Sequence, residues 1–352
     1  MIFIWLILTT LIGLAVGVGY LLPNSDEMTY TKSFNGNRSL ITAIYLRDIS
    51  RNLEGRLTDL NSINALPKWS PDGQQIAYFS LNDSLFQLYV MDAMGHNKHL
   101  LQFEFTTIDT GYVWSPDSQW VLFSGIVEGV QQSVIIHSIT GQTFVLPQVI
   151  RSGGWSPDSQ TIVYQAASES GRPHFYGLNM NCLVQVQPCE FKELPFLQNQ
   201  DFYDDPIWSP DGHYLAFISN SGDQSNVVVA TLRCGDLIEA CIENYSVVGY
   251  NVYDSSPIWS ADSQQLAYVI SDAEIGIAQI ETGETQTYNL PEGLVFLHSW
   301  LPEGQSISYI SNPMALLGND VYYILDLETG ESHPLFLNYR AVQSAEWRPV
   351  PH

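Results

Sequence analysis

Basic side chains are scarce in this chain: 13 Lys and Arg stand against 37 Asp and Glu, a formal net charge of −24. That balance excludes nucleic acid as a partner, because binding it depends on neutralising phosphates with cations. The same charge would be repelled by an anionic lipid surface. Catalytic signatures are missing too. No Gly-x-Ser-x-Gly elbow occurs, and no chain outside the repeats described below would form a hydrolase domain. The eight His residues show no His-Glu-x-x-His spacing, and His96 and His99 fall in a hairpin turn where solvation accounts for them. No Gly-rich loop precedes a helix, and beyond the N-terminus no helical periodicity is evident. These absences lead us to expect a protein without catalysis. They also leave no metal site assigned and no cofactor required.

What the chain does have is a repeat. Trp-Ser-Pro-Asp-(Gly/Ser) begins at Trp69, Trp114, Trp155 and Trp208, and weakens at Trp259, Trp300 and Trp347, with gaps of 41 to 53 residues. A period in that range marks one supersecondary unit repeated as a solenoid or a propeller. Seven residues after each of the first six Trp stands an aliphatic side chain (Ile76, Val121, Ile162, Leu215, Leu266, Ile307), and nine after stands an aromatic one (Tyr78, Phe123, Tyr164, Phe217, Tyr268, Tyr309). Two positions apart means one face of a strand, so a β-strand with one buried face follows each motif. Ser-Pro-Asp-Gly itself matches a type I turn, which makes the motif Asp a turn residue rather than a reactive group.

Each unit continues with a β-branched and aromatic strand such as 88–92 or 227–230, then a tight turn such as Glu281-Thr-Gly-Glu284 and a last strand. With the strand that ends in Trp, this makes four antiparallel strands per repeat, the pattern of a propeller blade. The expected fold is all-β. Six blades are complete, and Trp347 closes a seventh whose other strands come from residues 28–58 near the N-terminus, so the ring is sealed by pairing the two chain ends. A six-bladed ring with an N-terminal extension is the alternative.

The units, for instance Trp69-Ser-Pro-Asp-Gly-Gln-Gln-Ile-Ala-Tyr-Phe-Ser followed by Leu88-Tyr-Val-Met-Asp92 and Gly95, resemble the WD40-like β-propeller repeats of the TolB family. The same repeat type occurs in propeller domains of prolyl-oligopeptidase-like and tricorn-type proteases. The resemblance covers about residues 28–350 and rests on blade-building residues. It implies an interaction platform in the cell envelope. The three C-terminal copies depart from the pattern, and seven blades differ from the six of TolB, which puts TolB's own partners in doubt here.

Residues 2–22 carry no charge, long enough to cross a bilayer as a helix. We read residues 1–23 as a transmembrane signal-anchor and 24–352 as the propeller; a signal peptide cleaved near Ala15–Gly17 is the competing reading. Gly13, Gly17 and Gly19 would allow close helix approach in a membrane complex. Cys182 and Cys189, like Cys234 and Cys241, have six residues between them and sit at equivalent places in two consecutive units. Two local disulfides are the expectation, with free thiols or a shared metal as alternatives. Disulfides place the propeller outside the cytoplasm, in the periplasm or at the cell surface.

Function should lie in the loops at one rim. The segments before each Trp, together with the loops after the aromatic strands, make that rim acidic and aromatic. Asp109, Arg151, Tyr203, Asp204, Asp205, Tyr253, Asp254 and His298 are the candidate partner-binding residues. Converging carboxylates in the channel could hold a structural Ca²⁺. The sequence thus points to a membrane-anchored, extracytoplasmic, non-catalytic binding module for protein, peptide or glycan partners. An accessory subunit of a membrane complex, or a glycan lyase or hydrolase using rim carboxylates, are the alternatives.

Overall fold

The computed structural model describes residues 23–35, 40–48, 51, 53–146, 149–150, 152–167, 173–184, 191–193, 202–221, 224–232, 242–253, 256–291, 294–301, 304–312, 321–334 and 342–349. Five four-stranded antiparallel sheets follow one another along the chain. Each has the same construction. In the sheet spanning 107–145 a strand ending in the motif Trp (Thr107–Trp114) pairs with Trp120–Val127, which pairs with Val130–His137, which pairs with Thr143–Val145. A sixth sheet has eight strands. It consists of Val342–Pro349, Pro23–Asn35, Leu40–Asp48 and Leu53–Arg56 on one side, and Ile63–Trp69, Gln75–Asn82, Leu85–Asp92 and His99–Phe105 on the other. A parallel bridge between Thr42 and Ile63 joins the two sets.

Both ends of the chain meet as their patterns predict. Met28 lies opposite Trp347, and Tyr30 opposite Ala345. Arg348 fastens this seam: its Nε donates to the Gly73 carbonyl at 3.0 Å, its Nη1 pairs with Glu27, and its guanidinium lies 5.1 Å from the Trp69 ring centre. An arginine so placed combines directional hydrogen bonds with stacking on an aromatic face.

One expectation needs correcting. The strands after each motif bury both faces, not one. Ile76 and Tyr78 pack with Ile44 and Trp69, whereas Ala77 and Phe79 pack on the opposite side with Tyr112 and Phe123 of the next sheet. Phe79 meets Tyr112 edge-on, with ring centres 5.2 Å apart. The reason is that each sheet lies between two neighbours, so the core is a series of layers between sheets. A short helix, Met180–Val184, was also not expected. The Asn179 side chain starts it by accepting the Asn181 N–H at 2.9 Å, a side-chain cap that apolar periodicity does not reveal. Residues 1–22, on which the anchor expectation falls, lie outside the described residues; among those described, no helix is long and apolar enough to cross a membrane.

Candidate functional site

The recurring motif is a hydrogen-bonded knot. At Ser70 the hydroxyl donates to Asp72 Oδ1 (2.6 Å) and accepts the Gln75 N–H (2.8 Å), while the Gly73 N–H closes the turn onto the Ser70 carbonyl (2.8 Å). Ser115, Ser156, Ser209 and Ser260 make the same hydroxyl-to-carboxylate bond. The motif carboxylates are therefore committed to their turns. At Asp211, burial works to raise the pKa, but the Ser209 hydroxyl and the N–H and ring of His213 outweigh it and hold the carboxyl below its usual range.

The motif also ties neighbouring sheets together. Ser118, Ser159 and Ser263 occupy its fifth position with φ of 63°, 60° and 60°, a left-handed conformation that favours Gly. Their hydroxyls accept the backbone N–H of the motif Asp in the preceding unit: Asp72 to Ser118 at 2.9 Å, Asp117 to Ser159 at 2.9 Å, and Asp211 to Ser263 at 3.0 Å. The motif Trp side chains add a second link. The indoles of Trp114, Trp259 and Trp300 donate to the carbonyls of Lys68, Ile207 and Ile258, each the residue just before the previous motif Trp. Repeated motif residues thus build the frame. Any site must lie elsewhere.

The strands that end in Trp lie innermost, where those of neighbouring sheets pack against one another. Several expected site residues stand on these strands rather than in loops. Tyr203 and Asp204 pair with Ser219 and Ile218, and Asp205 falls in an irregularity between Asp204 and Ile207. Asp109 falls in a similar one between Ile108 and Tyr112. The inner strands start further toward the rim than their residue types indicate, and bulges before the motif Trp let residues there depart from regular pairing. Tyr253 is 46% exposed beyond the strand Ile242–Gly249, with its N–H bonded to the Val269 carbonyl at 3.0 Å. Arg151 and Asp254 lie outside the described residues. Cys182 is disulfide-bonded, and Cys189, Cys234 and Cys241 lie outside the described residues.

His298 is brought into a polar group that the sequence reading did not assemble. A shift in register between Leu297 and Ser299 frees it from regular pairing. Its Nδ1 lies 3.1 Å from Ser308 Oγ and its Nε2 lies 3.7 Å from Glu346 Oε2. Glu346 stands just before Trp347 on the closing strand, and its side chain is 38% exposed against 12% for His298. The Glu346 charge also acts on Lys68, whose Nζ lies 5.5 Å from the centre of the Tyr112 ring. Burial pulls the Lys68 pKa below its ordinary value, and Glu346 opposes this only in part. Burial, then the Glu346 charge, pushes the Tyr112 phenol well above its ordinary value, and its hydroxyl donates to the Leu66 and Ala77 carbonyls.

Lys68, Tyr112, His298 and Glu346 all stand one or two residues before a motif Trp. Comparing that column across the copies was the signal available. A carboxylate beside an imidazole can accept, hold or pass a proton and can bind a polar ligand. Among the described residues, no three His, Cys, Asp or Glu side chains converge as metal ligands.

No family model matches the chain. The peptidase YuxL of Bacillus subtilis, itself uncharacterized, is 29% identical over 158 residues, 44% of this chain and 21% of the relative. Dipeptidyl-peptidase 5 of Porphyromonas gingivalis is 24% identical over 317 residues, 82% of this chain and 43% of the relative. The chain thus spans less than half of the length of either. Among solved structures, TolB from Acinetobacter baumannii superposes with a TM-score of 0.54 at 16% identity, covering 93% of this chain and 68% of that one. The β-propeller domain of the Trilobed protease from Pyrococcus furiosus gives 0.60 at 14% identity, covering 89% and 93%. An oligogalacturonate lyase from Vibrio parahaemolyticus gives 0.59 at 12%, covering 88% and 94%. These relatives correct the expectation of a protein without catalysis: the curated ones are named peptidases, and proteins of this architecture include enzymes. The absence of a nucleophile elbow misled, because a propeller can serve an enzyme without carrying that motif. At the level of architecture, the repeats, the sheets and the structural neighbours agree on one conclusion: this chain has the TolB-like β-propeller fold.

Proposed function

We propose that this chain is the substrate-binding propeller of an extracytoplasmic enzyme system, taking peptide or glycan chains at the rim where its inner strands begin. The observation that carries this reading is the match to dipeptidyl-peptidase 5, which runs along 82% of this chain and under half of the relative. In this reading the ring has seven blades, the eight-stranded sheet counting as two, and is closed by the chain ends. Residues 1–23 hold it at the membrane, where it can also serve as a subunit of a larger complex. Two local disulfides, Cys182 with Cys189 and Cys234 with Cys241, fit the oxidising compartment.

Tyr203, Asp204, Asp205, Tyr253 and Asp254 supply aromatic and acidic contacts for the bound chain, with Asp109 and Arg151 further along the rim. Calorimetry with unstructured peptides and with acidic and neutral oligosaccharides tests this. Tyr253→Ala and the double change Asp204→Asn, Asp205→Asn should weaken binding about tenfold; unchanged affinity in both would remove the rim from the site. A second reading, acid–base chemistry within the ring, is favoured by the 3.7 Å approach of His298 to Glu346. There, hydrolysis or elimination of a glycan by the full-length protein should be lost in His298→Ala, and activity indifferent to that change would refute it.

A further inference from the structure

The outermost strand of the 202–249 sheet, Ile242–Gly249, differs from its counterparts. It pairs with Gln224–Leu232 on one side, and among the described residues no strand pairs with its other edge. Residues 244–247 are exposed in succession, on both faces of the strand. Two of them are apolar or aromatic: Tyr245 at 55% and Val247 at 37% exposure, followed by Tyr250 at 69%. The equivalent strand of the next sheet, Thr285–Asn289, is Thr-Gln-Thr-Tyr-Asn, and its one large side chain, Tyr288, is buried. An exposed apolar edge strand is normally blunted by Lys, Pro or a covering segment, and this one carries neither residue.

From the edge strand onward the chain carries one sign of charge as far as residue 339. Residues 234–339 contain 15 Asp and Glu and no Lys or Arg. Glu243 stands on the strand itself. Glu281 and Glu284, both exposed, flank the turn leading to Thr285, whose hydroxyl reaches the Val248 carbonyl at 3.5 Å. A second copy of this chain would bring an equally anionic sector against this one, so charge favours a cationic occupant over self-association.

We infer that the Ile242–Gly249 edge is a docking strand for an extended segment of a partner protein, one that alternates basic and apolar residues and adds a strand to the sheet. Main-chain hydrogen bonds would supply the register, Tyr245 and Val247 the apolar contact, and the carboxylates the selection for positive charge. This surface is the outermost strand of its sheet, and neither Tyr245 nor Val247 is assigned a part in the function proposed above, so its test is distinguishable from that one.

The probe is an eight-residue peptide in which Lys alternates with Val, labelled and titrated with the full-length protein by fluorescence anisotropy. The controls are a peptide alternating Glu with Val and a Lys/Val peptide interrupted by Pro, which cannot complete a ladder. The Lys/Val peptide should bind at least about tenfold more tightly than either control and weaken as salt is raised. Tyr245→Ser with Val247→Ser should reduce its binding about tenfold, and Tyr245→Lys with Val247→Lys should reduce it further, both with an unchanged circular dichroism spectrum. Equal binding of all three peptides, or variants that bind as the parent does, would overturn the inference. So would sedimentation showing a dimer that Tyr245→Lys with Val247→Lys converts to monomer, which would make a second copy the occupant.

Discussion

The link between successive motif turns makes a test in which Ala and Gly should part company. Ser118, Ser159 and Ser263 are almost fully buried at positive φ, and each hydroxyl accepts a motif Asp N–H from the neighbouring unit. Changing all three to Ala keeps the left-handed strain and deletes three hydrogen bonds worth about 0.5–1.5 kcal/mol each, a loss of roughly 2–4 kcal/mol. Changing all three to Gly deletes the same bonds but relieves about 1–2 kcal/mol of left-handed strain per site, offset by about 0.5–1 kcal/mol of extra backbone entropy in the unfolded chain. The glycine variant should therefore fall within about 2 kcal/mol of the parent and lie above the alanine variant. For a chain of this size the alanine variant should melt several degrees lower, by extension of the usual size scaling. Differential scanning calorimetry of the three proteins decides the matter. An alanine variant as stable as the glycine variant would mean that φ strain does not exceed the entropy cost of glycine, and two variants as stable as the parent would mean that the serine links contribute nothing.

Three further outcomes are expected. Gly73→Ala should cost about 1–3 kcal/mol more than Gly283→Ala in chemical denaturation, because both have positive φ but a Cβ at Gly73 would stand 2.4 Å from the Pro349 carbonyl oxygen on the closing strand, and one at Gly283 meets nothing. Tyr112→Phe should cost about 1–3 kcal/mol in the same assay, since the Leu66 and Ala77 carbonyls lose their shared donor in a buried setting. The Asp326 carboxyl is held below its usual range by the Thr329 N–H first, then by the Thr329 hydroxyl and the Glu328 N–H. Its stabilising contribution is present above the unfolded carboxyl pKa of about 4 and is lost as pH falls through the lower folded value. Melting temperature should therefore fall less steeply below about pH 4 in Asp326→Asn than in the parent, and parallel curves would remove Asp326 from the acid limb.

Much of the fold was legible because its signals are local. Ser70, Asp72 and Gln75 satisfy one another within five residues, so their identities alone indicate the turn. The pairing of Met28 with Trp347 was legible for another reason: the end segments carry complementary halves of one repeat. Less was legible where a residue serves a neighbour. Nothing local distinguishes Ser118 from Gly73 at the fifth position, because the N–H that Ser118 accepts belongs to Asp72 of another unit. The second buried face of each strand was missed for the same cause, since Ala77 and Phe79 find their partners only after the next sheet is in place. The expectation of a non-catalytic protein rests on missing motifs, and a missing motif carries no information about what a propeller serves.

The sequence by itself determined the repeat, the turn at each motif, the strand order within a unit and the excess of negative charge, all of which depend on residue identity over spans of a few dozen residues. Only the tertiary structure decided that His298 approaches Glu346, whose strand packs against the one that holds Lys68, and that among the described residues no strand pairs with the outer edge of Ile242–Gly249. The physical reason is closure. Lys68 and Glu346 are far apart in sequence, and their strands pack together because antiparallel pairing with Pro23–Asn35 brings Val342–Pro349 into the first sheet.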